Sequence, residues 1–350
     1  MKIIIAFDKY KGCLTATELC SAGESALRLR FGPDAEILSM PMSDGGEGMQ
    51  EILDGIYRGR TDAPCFIETA RWCGLAQLPA YQRNPSVQST YPLGQAIADA
   101  ISSGRRGIVV GLGGSATNDA GTGMLQALGY RFIDRNGDLI ERPMCGALLE
   151  EVAAIDTSHA LPGLSETRFT AICDVDAPLY GPDGAACVFA PQKGASPAMV
   201  KMLDRGLRRF AAVAGDPKAS SPGDGAAGGI GFGLRTFLHA EMIPGTEYIM
   251  RAYGFDRAVK DASLIITGEG RSDRQTLMGK VPMGVLKHGL DARVPVYLVS
   301  GAVDDRQALA EAGFRCIEAV TPPDMPIAQA LDPDTARSNL SDALRTMPLT

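Results

Sequence analysis

Histidine is scarce in this sequence, with three residues in a chain of 350, namely His159, His239 and His288. All three lie outside the glycine-rich segments described below. A Ser-His-Asp triad or a histidine-rich metal site is therefore disfavoured, because both need imidazole groups beside other reactive residues. Any proton transfer then falls to a carboxylate, and the candidates are Asp8, Asp44, Asp119, Asp174, Asp176 and Asp273.

Several other signals are missing as well. None of the eight cysteines forms a Cys-x-x-Cys pair, which favours reduced, buried thiols. The apolar run at residues 3–7 is too short for a signal peptide, and no run approaches the roughly 18 apolar residues of a membrane span. The net charge is −7, without the basic stripe typical of nucleic-acid binders. We therefore expect a cytoplasmic protein that binds neither membrane nor nucleic acid.

Standard nucleotide fingerprints are also absent. No segment matches the Walker pattern, and no clean G-x-G-x-x-G follows the first predicted strand, which argues against a dehydrogenase. Glycine itself is abundant, at 41 residues against roughly 25 for an average composition. These glycines are concentrated in a few places, so they indicate specific loops.

The order of predicted elements indicates an α/β fold. A strand at residues 2–7 precedes a helix, whose start is indicated by the capping box of Thr15 and Glu18. Strands and helices alternate regularly again from about residue 280. We predict a Rossmann-like parallel-sheet domain formed by both chain ends, 1–75 plus 285–350. A second, inserted α/β domain would span 76–284, with the active site in the cleft between them. Within it, strands are predicted at 107–112, 169–173 and 186–190, and an amphipathic helix at 197–213.

Four segments combine glycines with hydroxyl or acidic residues, mostly after predicted strands: 44–48, 111–119, 223–229 and 268–273. Glycines let backbone N–H groups approach a phosphate, and carboxylates beside them suit Mg²⁺. Each loop taken alone could be only a tight turn. Together, at the ends of strands where α/β sheets bind ligands, they predict a phosphate and Mg²⁺ site.

Lysines accompany these loops. Lys9 and Lys11 follow the first strand, Lys193 lies in Pro-Gln-Lys-Gly, and Lys280 lies at the start of a predicted helix, where a cation is unfavourable unless an anion is near. We predict that Lys11 and Lys193 neutralise the substrate carboxylate or the transferring phosphoryl group.

A carboxylate would act as the base. Asp44 is the first candidate because it follows a strand directly and precedes two glycines, and Asp273 is the second. Arg271 beside Asp273 favours its charged form and a role in Mg²⁺ binding. The alternative for Asp44 is that it only caps a helix beginning at Glu47.

The same residues resemble the bacterial glycerate kinases of the type I class. The run Gly-Leu-Gly-Gly-Ser-Ala-Thr-Asn-Asp at 111–119 is similar to that family's motif almost letter for letter. The other matching segments occur in the family's order, at 8–12, 42–48, 173–176, 191–195, 267–271, 273, 275–276 and 279–282.

The resemblance implies ATP-dependent phosphorylation of D-glycerate with Mg²⁺, with 2-phosphoglycerate as the favoured product, and a homodimer is a further expectation. The predicted catalytic residues are Asp44, Asp273, Lys11 and Lys193. The predicted nucleotide-binding residues are Gly113, Gly114, Ser115, Thr117, Asn118, Gly268, Glu269, Gly270 and Lys280. The predicted metal ligands are Asp44, Glu269 and Asp273.

Two departures keep an alternative open. Lys9 stands where the family usually has serine, and residues 60–67 replace a longer hairpin segment. Both are consistent with a kinase of a related small hydroxy-carboxylic acid. A sensor that binds nucleotide or acid without turnover is the other alternative, but the acidic and lysine positions it would be expected to lose are all occupied.

Overall fold

The computed structural model describes residues 1–45, 48–216, 218 and 221–348. The chain divides into two compact units. We call Met1–Gly59 with Gly245–Thr350 the terminal unit, and Arg60–Pro244 the inserted unit. Among the described residues, no helix is long and apolar enough to cross a membrane.

The strands of the described chain are, in order, β1 (Lys2–Phe7), β2 (Glu36–Ser39), β3 (Cys65–Glu68), β4 (Gly107–Gly111), β5 (Arg131–Asp134), β6 (Val152–Asp156), β7 (Arg168–Ile172), β8 (Glu241–Ile243), β9 (Leu264–Gly268), β10 (Arg271–Ser272), β11 (Val296–Ser300), β12 (Ala302–Val303) and β13 (Cys316–Ala319).

The α-helices are α1 (Ala16–Phe31), α2 (Met49–Ile56), α3 (Thr69–Cys73), α4 (Tyr91–Ser102), α5 (Thr122–Ala127), α6 (Ala185–Phe189), α7 (Pro197–Ala214), α8 (Ala226–Leu238), α9 (Gly245–Tyr253), α10 (Phe255–Val259), α11 (Val281–Ala292), α12 (Arg306–Ala312), α13 (Ile327–Ala330) and α14 (Pro333–Thr346). Short 3₁₀ helices occupy Leu75–Gln77, Ala80–Gln82, Gly146–Leu148, Leu164–Glu166, Pro191–Lys193 and Arg274–Met278.

The terminal unit is built on a parallel sheet of order β13-β11-β9-β1-β2. Strand β1, which lies between β9 and β2, is apolar and buried from Ile3 to Phe7, as expected for a parallel strand covered on both faces. Helix α1 begins with the predicted capping box, in which the Thr15 side chain accepts from the Glu18 N–H and the Glu18 carboxylate accepts from the Thr15 N–H. Helices α1 and α14 contribute buried leucines to the core beside β1.

The inserted unit contains a second parallel sheet of order β3-β4-β7-β8 and an antiparallel pair, β5 with β6. Its helices α4 and α5 pack closely because position 94 is glycine, where a Cβ would lie 2.7 Å from the Ala127 Cβ. Phe132, Phe210 and Phe232 are fully buried in this core. Both sheets match the predicted α/β class.

Two parts of the predicted layout are wrong. The inserted domain was predicted to span 76–284, but the division falls at 59/60 and 244/245. Strand β9 explains most of the error, because it pairs with β1 and so draws the preceding helices into the terminal unit. Residues 186–190 were predicted to form a strand, but α6 covers Ala185–Phe189, since a short apolar run does not distinguish a strand from a buried helical turn. The helix predicted at 197–213 is confirmed as α7.

Candidate active site

The carboxyl edge of the terminal sheet gathers acidic and hydroxyl side chains. Asp8 follows β1, Glu269 follows β9, and Ser300 ends β11. Parallel strands place these positions side by side, and the Asp8 N–H donates to the Gly268 carbonyl at 3.0 Å. The first residues after adjacent strands therefore share one edge, the usual ligand-binding edge of such sheets.

Asp8 is the most perturbed carboxylate at this edge. It is 8% exposed, and burial raises its pKa to about 7, while Lys9 opposes the rise. The nearby charges of Asp44 and Glu269 add to it. The three carboxylates are thus close enough to interact electrostatically. Asp8 was one of six candidates from the sequence and not among the predicted catalytic residues; its position directly after the first strand was the available signal.

Glu269 is held by a network of donors. Its Oε1 accepts from the Thr276 hydroxyl at 2.6 Å and the Ser272 hydroxyl at 3.3 Å. Its Oε2 lies 3.1 Å from the Lys280 ammonium. Ser272 also lies 2.8 Å from Ser300. Lys280 is the N-cap residue of α11, where the helix dipole disfavours a positive charge unless an anion is near. The Glu269 carboxylate is that anion.

Asp44 and Asp273, the two predicted bases, occupy different settings. The Asp44 side chain is 49% exposed and lies 3.7 Å from the Lys9 ammonium. Helix α2 begins at Met49 with Gly48 as its N-cap, and the helix start predicted at Glu47 is not among the described residues, so the capping alternative for Asp44 stays a prediction. Residues 46 and 47 of that motif lie outside the described residues. Asp273 caps the 3₁₀ helix that follows it, accepting from the Gln275 N–H at 2.8 Å.

Next to Asp8 lies a small cavity of about 250 Å³, which we call the Asp8 pocket. Lys9, Lys11 and Thr17 are among its lining residues, and Glu51 and Ile52 of α2 line it as well. Lys11 is exposed. The pocket thus joins a buried carboxylate to two lysines, which suits a small anion that carries a hydroxyl group.

The inserted unit holds a buried lysine. Lys193 is 3% exposed, and its ammonium donates to the Ser115 hydroxyl at 2.9 Å and the Thr117 carbonyl at 2.8 Å. Burial lowers its pKa to about 8, against smaller opposing effects of Cys73 and Asp119. The structure therefore brings together Lys193 and the 111–119 loop, which are about 75 residues apart in sequence. An ammonium has three N–H donors, so one remains for another acceptor.

The 111–119 loop contains both buried polar groups that are hydrogen-bonded and buried polar groups that have no partner among the described residues. The side chain of Asp119 is fully buried and accepts from the N–H groups of Thr90, Gly121 and Gly123, which makes it structural. The Thr117 hydroxyl and both polar atoms of the Asn118 amide are buried with no hydrogen-bond partner among the described residues. A buried group of this kind is costly, so these positions suit a bound acceptor or donor.

Gly113 and Gly114 of this loop are exposed, so their backbone is accessible to a ligand. Asp174 and Asp176, the remaining carboxylate candidates, are exposed residues after β7.

A metal ion at this site would need phosphate oxygens, in addition to protein side chains, to complete its coordination shell. Within 1–45, 48–216, 218 and 221–348, no three His, Cys, Asp or Glu side chains are grouped closely enough to hold a metal ion. The predicted ligands Asp44, Glu269 and Asp273 therefore form no closed cage. Mg²⁺ commonly takes one or two carboxylates and completes its shell with water and phosphate, and the carboxylates at this edge fit that requirement.

Comparison with known proteins gives a consistent result. A model described as the glycerate kinase family matches residues 3–63 and 54–348. A glycerate kinase of Halalkalibacterium halodurans is 40% identical over 94% of this chain and 93% of its own length. A glycerate 2-kinase of Escherichia coli is 40% identical over 87% of this chain and 86% of its own. A crystal structure of glycerate kinase 2 from Salmonella typhimurium LT2 has a TM-score of 0.86 at 37% identity, covering 99% of this chain and 96% of that one.

Proposed function

This chain belongs to the glycerate kinase family, and from that premise we propose that it transfers the γ-phosphoryl group of ATP to the 2-hydroxyl of D-glycerate. As a member of that family it is a kinase of glycerate, with ATP as the phosphoryl donor. The observation that carries the proposal for the site is the Asp8 pocket. Its small volume, buried carboxylate and two lysines suit an acid of three carbons better than a larger substrate.

Within this pocket, the acid's carboxylate would lie near Lys9 and Lys11 and its hydroxyl near Asp8. We propose Asp8 as the group that accepts the hydroxyl proton, because it is buried at the pocket wall, whereas Asp44 is half exposed beside Lys9 and Asp273 caps a helix. The assignment of Asp44 as the base, the first choice from the sequence, stays a prediction. Mutating each residue would show whether Asp8 or Asp44 is the base. Positioning and charge neutralisation carry most of the catalysis in phosphoryl transfer, so one weak base suffices.

The phosphates of ATP would meet either the 268–273 loop or the 111–119 loop. In the terminal unit, Gly268 and Gly270 flank Glu269, which positions Lys280. In the inserted unit, Gly113 and Gly114 offer accessible backbone, Ser115 and Thr117 accept from the ammonium of Lys193, and the buried Asn118 amide has no partner among the described residues. We propose that Lys193 and Lys11 neutralise phosphoryl or carboxylate charge in these places. Charge-assisted bonds of this kind are about twice as strong as neutral ones.

Mg²⁺, when bound, neutralises charge on the phosphate oxygens. Of the predicted ligands, Asp44 is the most exposed and Glu269 already accepts from three donors. We therefore propose Asp44 as the principal ligand, with Asp273 and Glu269 as the other predicted ligands at the same edge of the sheet.

We further propose a cytoplasmic location, which the eight free cysteines support, since disulfides are rare in reducing compartments. A homodimer is also a prediction, and light scattering on the purified protein would test it.

A coupled ADP-release assay across D-glycerate, L-glycerate, glycolate and lactate tests the function, with ³¹P NMR to identify the phosphorylated hydroxyl. The expected result is selective turnover of D-glycerate and a 2-phospho product. A 3-phospho product would contradict the proposed position, and equal turnover of all acids would contradict the substrate.

One observation favours a second candidate, a kinase for a related small hydroxy acid. Lys9 lines the Asp8 pocket and pairs with Asp44, so the pocket is both smaller and more basic than with serine at this position. If Lys9 shifts the preference, Lys9→Ser should raise the catalytic efficiency for D-glycerate relative to the other acids. An unchanged ratio would dismiss this candidate.

A further inference from the structure

A second cavity of the terminal unit, of about 350 Å³, is lined in part by the loop that follows β1. We call it the Ile327 groove. Gly270, Gly301 and Thr321, which follow β9, β11 and β13, are among its lining residues. The groove therefore opens at the carboxyl edge of the parallel sheet, where α/β folds bind nucleotides and similar ligands.

Much of the remaining lining is apolar. Met325, Ile327 and Leu331 contribute aliphatic side chains from the segment around α13, and Cys13 also lines the groove; we call these four residues the apolar wall. Ile327 is 76% exposed and Leu331 is 45% exposed. Large aliphatic side chains left open along a concave surface are characteristic of ligand grooves, and the volume falls within the usual range for small-molecule sites.

Two cationic side chains, Lys11 and Arg271, also line the groove. Arg271 already pairs with Asp304 at 2.6 Å. The Lys11 ammonium makes no hydrogen bond or ion pair with the described residues. A Cβ placed on Gly270 would lie 3.5 Å from the Lys11 backbone nitrogen, so the 268–273 loop and Lys11 are immediate neighbours. Gly270 and Lys11 therefore line the same groove as the apolar wall.

The two cavities share this loop. Tyr10, Lys11 and Cys13 line both the Ile327 groove and the Asp8 pocket. A ligand that is flat and apolar at one end and polyanionic at the other would place its anionic end at Lys11, next to the pocket that contains Asp8. A nucleoside triphosphate has this distribution of charge.

We propose that the Ile327 groove binds the adenine and ribose of ATP, with the triphosphate passing Gly270 and Lys11 toward the Asp8 pocket. The inference rests on the proposed kinase function and assigns its nucleoside subsite. The apolar wall covers the base, and Lys11 is the cation between donor and acceptor.

The test is Ile327→Asp, which adds a charge to the apolar wall at a position exposed enough to leave folding unaffected. Ala328→Asp is the matched control, because Ala328 is the next residue of α13, is exposed and does not line the groove. Calorimetry measures binding of ATP and of inorganic tripolyphosphate to each variant without the acid. We expect Ile327→Asp to weaken ATP binding about tenfold or more, with tripolyphosphate unchanged, and Ala328→Asp to change neither.

Unchanged ATP affinity in Ile327→Asp would overturn the proposal, as would an equal loss for tripolyphosphate. A change in sedimentation mass with unchanged ATP affinity would assign the groove to a second copy of this chain and overturn it as well. In steady-state kinetics, Ile327→Asp should raise the KM for ATP and leave the KM for the acid unchanged. If the wild type binds ATP but phosphorylates no hydroxy acid, the proposed function fails while the binding experiment still decides the groove.

Discussion

Replacing Lys193 with Met removes a buried charge while keeping the length of the side chain. In the structure, the ammonium donates to Ser115 and to the Thr117 carbonyl and has one N–H left for a ligand. A charge-assisted bond to that ligand contributes about 1.5–3 kcal/mol. We therefore expect Lys193→Met to lower kcat/KM by roughly 10- to 150-fold. Lys201→Met, at an exposed lysine of α7, is the control and should be neutral.

The stability of this variant should change little, because two effects oppose each other. Burial lowers the pKa of Lys193 from 10.5 to about 8, so the charged folded state is penalised by about 3 kcal/mol at neutral pH. That penalty applies at pH values below about 8 and disappears above the unfolded pKa. Met removes the penalty but leaves Ser115 and Thr117 without their donor, at about 1–3 kcal/mol each. A melting temperature within a few degrees of wild type would separate loss of activity from unfolding.

The pH dependence provides a second measurement. Lys193 is charged below pH 8 and neutral above it, so kcat/KM of the wild type should fall as pH rises through about 8. In Lys193→Met this limb should be absent. Wild-type efficiency in a folded Lys193→Met protein, or an identical alkaline limb in both proteins, would refute the role of this residue.

Three further predictions follow from the terminal unit. If Asp8 is the base, Asp8→Asn should cut turnover about 10²-fold or more. Asp44→Asn should chiefly raise the Mg²⁺ concentration that the enzyme requires. Full turnover in Asp8→Asn, together with a deep loss in Asp44→Asn at saturating Mg²⁺, would assign the role of base to Asp44. Lys11→Met should lower kcat/KM at least about tenfold, measured with the same assay, and a wild-type rate would remove Lys11 from the site. Gly268→Ala should destabilise the fold by more than about 2 kcal/mol in urea titration, because its Cβ would meet the Val299 carbonyl; a neutral result would contradict the tight pairing of β9 with β11.

Local signals identified much of this protein from the sequence. The capping box of Thr15 and Glu18 and the apolar strand β1 depend on residues adjacent in the chain, so both were predictable. The family was predicted from motif order and is confirmed by relatives at 37–40% identity. Phosphate binding by the glycine loops at 111–119 and 268–273 was predicted from short continuous segments as well, and it stays a prediction.

Tertiary structure decided the features that depend on distant residues. The division of the chain at 244/245 follows from the pairing of β9 with β1, which links residues about 260 positions apart. The contact of Lys193 with Thr117 and the donors around Glu269 likewise join separate segments. The perturbed pKa of Asp8 depends on burial, and burial is a property of the packed chain. The sequence alone therefore determined which chemical groups are present, and folding determined which of them meet, because desolvation and charge proximity exist only once the strands pair.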